Sequence, residues 1–189
     1  MVLLTAFEPF AGRAVNQSER VARLVAEQPP RGVAVELAIL PVRFAALARA
    51  LPRLMAARAV VMLGESGRAQ GLTFERVAVN LIDARIADNA GRRPIDVPVR
   101  ERGPAAYFST APVKALAEAA RRARAPVALS TSAGTYACNA SYYLALHQAQ
   151  RVDPHPAIVF IHVPQKLPAT RRHLMAAGLR AVVAALGRD

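Results

Sequence analysis

Cysteine is almost missing from this chain: Cys138 stands alone among 189 residues, so no internal disulfide can form. The four histidines, at 147, 155, 162 and 173, have no cysteine companions at zinc-finger spacing, which excludes a structural zinc site of that kind. Long apolar runs are missing too, none approaching the ~18 residues of a membrane span. The apolar opening from Met1 to Phe7 has no basic leader and breaks at Glu8-Pro9, unlike a secretory signal, so a cytoplasmic location is expected. Lysine is scarce: of 25 basic side chains only Lys114 and Lys166 are lysines, leaving 23 arginines and a net charge of +12. These arginines are scattered singly or in pairs such as Arg92-Arg93, Arg121-Arg122 and Arg171-Arg172. Without a basic stripe, interleaved aromatics or a recognition helix, the charge argues against a specific nucleic-acid partner, although low-salt adhesion to polyanions follows from it.

What is present is a globular composition, 53% apolar and 20% charged, enough for one sizeable core and one domain over 1–189. Val2 to Ala6 reads as a buried strand feeding the irregular loop Phe7-Glu8-Pro9-Phe10-Ala11-Gly12. Asn16 or Ser18 then caps a helix with Val21, Leu24 and Val25 on one stripe. A second strand spans Val33 to Leu40, and the Ala- and Leu-rich stretch 43–58 is helical, kinked or restarted at Pro52. A third strand, Ala59 to Leu63, opens into Gly64-Glu65-Ser66-Gly67-Arg68, a candidate site wall at a strand's carboxyl end. Phe74 to Leu81 reads as a strand and 82–111 as mostly irregular, with a dense turn at Asp88-Asn89-Ala90-Gly91. A helix from Pro112 to about Arg124, a strand over Val127 to Thr131, a helix over Ala140 to Gln150, a strand over Ala157 to Ile161 and a closing helix to Gly187 complete the chain. Alternating strands and helices predict a three-layer α/β/α sandwich around a mostly parallel sheet.

Chemistry gathers at strand ends. Cys138 falls near a helix start, where free N–H groups and the helix dipole favour a thiolate and can hold an oxyanion. His162 ends a later strand, and parallel neighbouring strands would bring it to the same sheet edge as Cys138. Glu75 can fix the histidine tautomer and stabilise its cation, or make a surface pair with Arg76. Arg85 can steady an oxyanion or pair with Asp83 or Asp88.

On four segments the chain resembles the pyroglutamyl-peptidase I family, cysteine peptidases that remove amino-terminal pyroglutamate from peptides. They are Thr5 to Gly12 with Val15-Asn16, Glu75 to Leu81 with Asp83 to Ile86, Ser132 to Asn139, and Phe160 to Pro164. The resemblance implies Cys138, His162 and Glu75 as catalytic residues. It implies Arg85 and the Cys138 N–H at the oxyanion, and Phe7 and Phe10 flanking the lactam. Asn16, Glu65, Thr135 and Tyr136 complete the substrate pocket. It also implies an α/β/α sandwich, a homotetramer, a peptide substrate bearing pyroglutamate, and no metal or organic cofactor. Departures from the family pattern are Ala6 and Ala11 for glycines, Ala140 for a histidine, Glu65 for a glutamine, and a short Val163 to Pro168 stretch. A carboxylate at 65 close to the thiolate would raise the thiol pKa by repulsion. A thiol amidase of altered specificity and a catalytically lapsed binding protein are the alternative readings.

Overall fold

The computed structural model describes residues 1–51 and 56–187. Strand β1 (Val2–Phe7) is followed by α1 (Gln17–Glu27), β2 (Val35–Leu40), α2 (Phe44–Ala50) and β3 (Ala59–Ser66). Then come β4 (Leu72–Glu75), β5 (Val77–Val79), β6 (Ala106–Phe108), α3 (Val113–Arg122) and β7 (Val127–Ser130). Helix α4 (Ala137–Ala149), β8 (Ala157–Pro164) and α5 (Ala169–Gly187) close the chain. The expected break at Pro52 lies outside the described residues. No described helix is long and apolar enough to cross a membrane.

Six strands form the main sheet in the order β2-β1-β3-β8-β4-β7. The first four are mutually parallel, whereas β4 runs antiparallel to β8 and β7 runs parallel to β4. The sheet is therefore mostly parallel, with a reversed pair at one side. Strands β1, β3 and β8 are buried nearly throughout, as their unbroken apolar sequences require when both faces are covered. The edge strands β2 and β7 are only partly buried.

Two apolar clusters fill the layers on either side. One packs Val61, Leu63 and Ile161 against Val21 and Val25 of α1, Leu116 of α3, and Leu179 and Val183 of α5. The other packs Met62, Ile158 and Phe160 against Leu47 of α2 and Tyr142 and Leu146 of α4. Leu179, Val182 and Val183 are fully buried, each stabilising the fold by about 1.5–3 kcal/mol through removal of apolar surface from water.

Several boundaries differ from the sequence expectation, among them the carboxyl ends of β3 and β8, which run on to Ser66 and Pro164 instead of stopping at Leu63 and Ile161, so that Gly64 and Glu65 are strand and not loop. Phe74 to Leu81 is not one strand: Arg76 separates β4 from β5, its amide donating to Ser130 O (2.8 Å) while its carbonyl accepts from Ser109 N (2.9 Å). Beyond it the chain leaves the main sheet, and β5 pairs antiparallel with β6, which lies inside the stretch expected to be irregular. Helix α4 starts at Ala137 instead of Ala140, which places Cys138 in its first turn.

Candidate active site

Strands β3 and β8 run in register at the sheet's centre, Gly64 opposite His162 and Glu65 opposite Val163. Side chains alternate along a strand, so Gly64 and His162 share the α2–α4 face and Glu65 points to the α1–α5 face. In the antiparallel β4–β8 pair Glu75 lies opposite Phe160, which makes it a diagonal neighbour of His162 on one face. A carboxylate and an imidazole span that diagonal gap of about 7–8 Å, and His162 Nδ1 lies 2.8 Å from Glu75 Oε1. An ionised carboxylate only accepts, so Nδ1–H is the donor and Nε2 is left for a second partner.

That partner comes from α4. Cys138 faces His162 closely enough to raise the ring's affinity for its proton, and its sulfur lies over the bare backbone of Gly64. Tyr136, the residue before the helix, supplies no side-chain cap to the first-turn amides beside the sulfur. The neighbouring Asn139, fully buried, pins this turn to the β5 segment: its Oδ1 accepts from Val79 N, and its Nδ2 donates to Val79 O and Leu81 O, each at 2.9 Å. Burial opposes a charge on the His162 ring, but the hydrogen bonds and charges of Cys138 and Glu75 outweigh it and push His162 up to about 9. At neutral pH the ring holds its proton, the state that pairs with a thiolate.

An aromatic wall stands beside the pair. Tyr136 packs edge-on against Phe44 at 5.3 Å and beside Phe10 at 6.0 Å, while Phe7 lies 6.4 Å from Phe160. Burial first, then the charges of Asp88 and Cys138, push the Tyr136 phenol up to about 12, so it stays neutral and donates to Ala87 O at 3.0 Å. Clefts of about 550 Å³ beside Arg76 and Pro112 and about 290 Å³ beside Gln70 and Arg171 lie elsewhere, neither lined by Cys138.

The family model described as pyroglutamyl peptidase matches residues 1–180. The chain belongs to the pyroglutamyl peptidase family. It is 46% identical to a pyrrolidone-carboxylate peptidase of Streptomyces coelicolor, the alignment covering 99% of this chain and 92% of that protein. A namesake from Thermococcus kodakarensis is 42% identical over 86% of this chain and 80% of its own length. The crystal structure of pyroglutamyl peptidase I from Bacillus amyloliquefaciens superposes with a TM-score of 0.88 at 30% identity, covering 100% of this chain and 95% of that one.

Within this family frame, the structure brings Cys138, His162 and Glu75 together, but not by the expected route. Strand β7 is not a neighbour of β8 and runs opposite to it, so the shared edge of parallel strands does not explain the meeting. The loop after β7 instead carries the chain back, and Asn139 docks the α4 start. Glu75 is buried on His162, which replaces the surface pair with Arg76. Thr135 is tied to the Asp83 segment, its hydroxyl donating to Asp83 O (2.9 Å) and its carbonyl accepting from Asp83 N (3.0 Å). Arg85, two residues beyond Asp83, is exposed and pairs with neither Asp83 nor Asp88 among the described residues. Asp88 is occupied with the amides of Phe44, Ala90 and Arg92.

Of the two expectations for Asn16 the structure shows the cap, and the expectation for Glu65 beside the thiolate is corrected. Asn16 is buried as the cap of α1: its Oδ1 accepts from Ser18 N and Oγ while its Nδ2 donates to Glu8 O, so the side chain shapes the Phe10 loop from behind. Glu65 does not reach toward the thiolate, because alternation along β3 sends it to the opposite face. There its side chain, only 1% exposed, pairs with Arg13 and accepts from Gln17 N at 2.8 Å. Residues that sequence reasoning passed over are Phe44, the docking role of Asn139, and Glu8, whose Oε1 accepts from Val42 N (3.0 Å) and Asn89 Nδ2 (2.8 Å) to tie the site loops together. Asn139 carried a signal, as a side chain with both donor and acceptor groups in the first turn of a helix that is mostly apolar up to Leu146.

Proposed function

We propose that this protein removes amino-terminal pyroglutamate from peptides by thiol chemistry. The observation that carries this reading is the buried relay from Glu75 through His162 to Cys138 at the start of α4. The Cys138 thiolate attacks the pyroglutamyl carbonyl, forming a C–S bond and a tetrahedral oxyanion held by the Cys138 N–H and Arg85. Collapse breaks the C–N bond, and His162 gives its proton to the departing amine. Water, deprotonated by His162, then hydrolyses the thioester and returns pyroglutamate and the free thiol. Glu75 keeps the imidazole oriented and offsets its charge throughout. In this reading the lactam ring lies against Phe7, Phe10 and Tyr136 and the backbone beside Thr135, apolar surroundings with few polar anchors. Apart from that water, the steps use only groups of the chain and the substrate, with no metal or organic cofactor.

The reading places the enzyme in the cytoplasm, as an assembly of identical chains. Light scattering of the purified protein measures that self-association. The engagement of Glu65 with Arg13 removes the main observation that favoured an altered acyl specificity. A panel of chromogenic amino-terminal amides tests the function: burst release of amine from the pyroglutamyl member alone is expected. Turnover of ordinary aminoacyl amides instead, or pyroglutamate binding without turnover, would overturn it.

A further inference from the structure

Glycine inside a strand weakens it, and no turn or positive φ requires one at Gly64: it lies within extended β3, paired with His162. What requires it is space. A side-chain carbon at this position would sit 2.8 Å from Cys138 Sγ, 2.8 Å from Phe160 Cζ and 3.0 Å from Phe160 Cε1. Other glycines of the fold make room for inert groups, as Gly71 does for the Pro126 carbonyl, 2.2 Å from where its side-chain carbon would be. At Gly64 the room is filled by the reactive sulfur and by the end of a ring whose centroid lies 5.0 Å from that of His162.

We propose that Gly64 is a positioning residue for the thiol, its bare backbone being the seat that holds the Cys138 sulfur against His162. The proposal rests on the reading of Cys138 as the nucleophile and adds how that nucleophile is aimed. Any side chain at 64 moves the sulfur off the imidazole, or moves Phe160 and with it the imidazole. The strand alternation that turns Glu65 away is what turns position 64 toward the sulfur, so the requirement for no side chain falls on this one position of β3.

The test is Gly64→Ala. Expected is a fall in kcat of about 10²-fold with KM within about threefold of wild type, because the thiol is misplaced while the aromatic wall stands. The pH midpoint of Cys138 alkylation by iodoacetamide should move upward, since the thiolate loses its cationic partner. Alkylation needs no turnover, so it reads the seat even if wild type proves not to cleave pyroglutamyl amides. A wild-type midpoint and kcat in Gly64→Ala, with or without a lowered Tm, would overturn the proposal. Gly64→Ala is also compared in the wild-type and Cys138→Ala backgrounds by thermal melting, where folding only without the sulfur counts as the largest coupling. A folded protein and a smaller Tm loss without the sulfur is the expected coupling; failure to fold in both backgrounds, or equal losses, overturns the seat.

Discussion

Gly64 and Glu65 are consecutive residues of one strand, yet they belong to two different chemistries. On the α2–α4 face, position 64 is empty so that a thiol and an imidazole can meet, and only Glu75 backs them. On the α1–α5 face, position 65 holds a buried charge with its needs met by Arg13 and the first amide of α1. One face keeps reactive groups few and poised; the other neutralises its charge and uses it to fasten the Phe10 loop to the sheet. The difference teaches that a carboxylate one residue along a strand from a reactive centre points to the opposite face, where its charge is met by its own partners.

The largest effect should come from the reactive face. Cys138→Ala is expected to lower turnover by about 10⁴-fold or more with far-UV circular dichroism unchanged, because no other group supplies the thiolate. Retained activity would remove the thiol from the mechanism. Glu75→Gln should cost about 10²-fold in kcat, since the amide still accepts from Nδ1–H but no longer offsets the ring's charge; steady-state kinetics at neutral pH measures it. On the other face, Arg13→Leu should destabilise by about 3 kcal/mol in urea unfolding, leaving a buried carboxylate unpaired, and adding Glu65→Gln should recover most of that loss. Glu65→Gln alone should leave the alkylation profile of Cys138 coincident with wild type; a downward shift would mean that the two faces are electrostatically joined after all.

Two smaller tests sharpen the contrast. His162 is held at about 9 in the folded protein against an ordinary 6.5, so its protonated form stabilises the fold fully below about pH 6.5. That contribution is lost as pH rises toward about 9, and the Tm difference between wild type and His162→Gln should shrink across that window. Last, Ala11 sits at φ +56°, a left-handed conformation that disfavours a side chain. Ala11→Gly should therefore raise stability by only about 0.5 kcal/mol, the relief of strain being partly offset by a freer unfolded chain. Differential scanning calorimetry reads the sign. Ala6, by contrast, is fully buried on the α1–α5 face and does not narrow the loop on the site side.

Much of this was legible along the chain. Apolar runs marked β1, β3 and β8 because strands covered on both faces need no polar alternation. Helical stripes marked α1, α3 and α5, since Val21, Val25, Leu116, Leu179 and Val183 recur at the spacing of one helix face. The motifs around Cys138, His162 and Glu75 were visible as residue types with compatible chemistry. Two other features were not visible: the break at Arg76 and the turn of Glu65 away from the thiol. Both depend on partners far along the chain or on the direction a side chain takes, which local pattern does not encode.

Composition and periodicity determined the layered α/β architecture, because burying apolar stripes against a sheet has few solutions. They also supplied the single thiol and an imidazole able to serve it. Tertiary structure decided that β4 and β7 run against the other strands, that Glu75 therefore meets His162 across 87 residues of sequence, and that Glu65 faces away from both. Alternation along a strand says that neighbouring residues point to opposite faces. Which face receives α4 and the sulfur is set only when the strands have paired and the helices have packed.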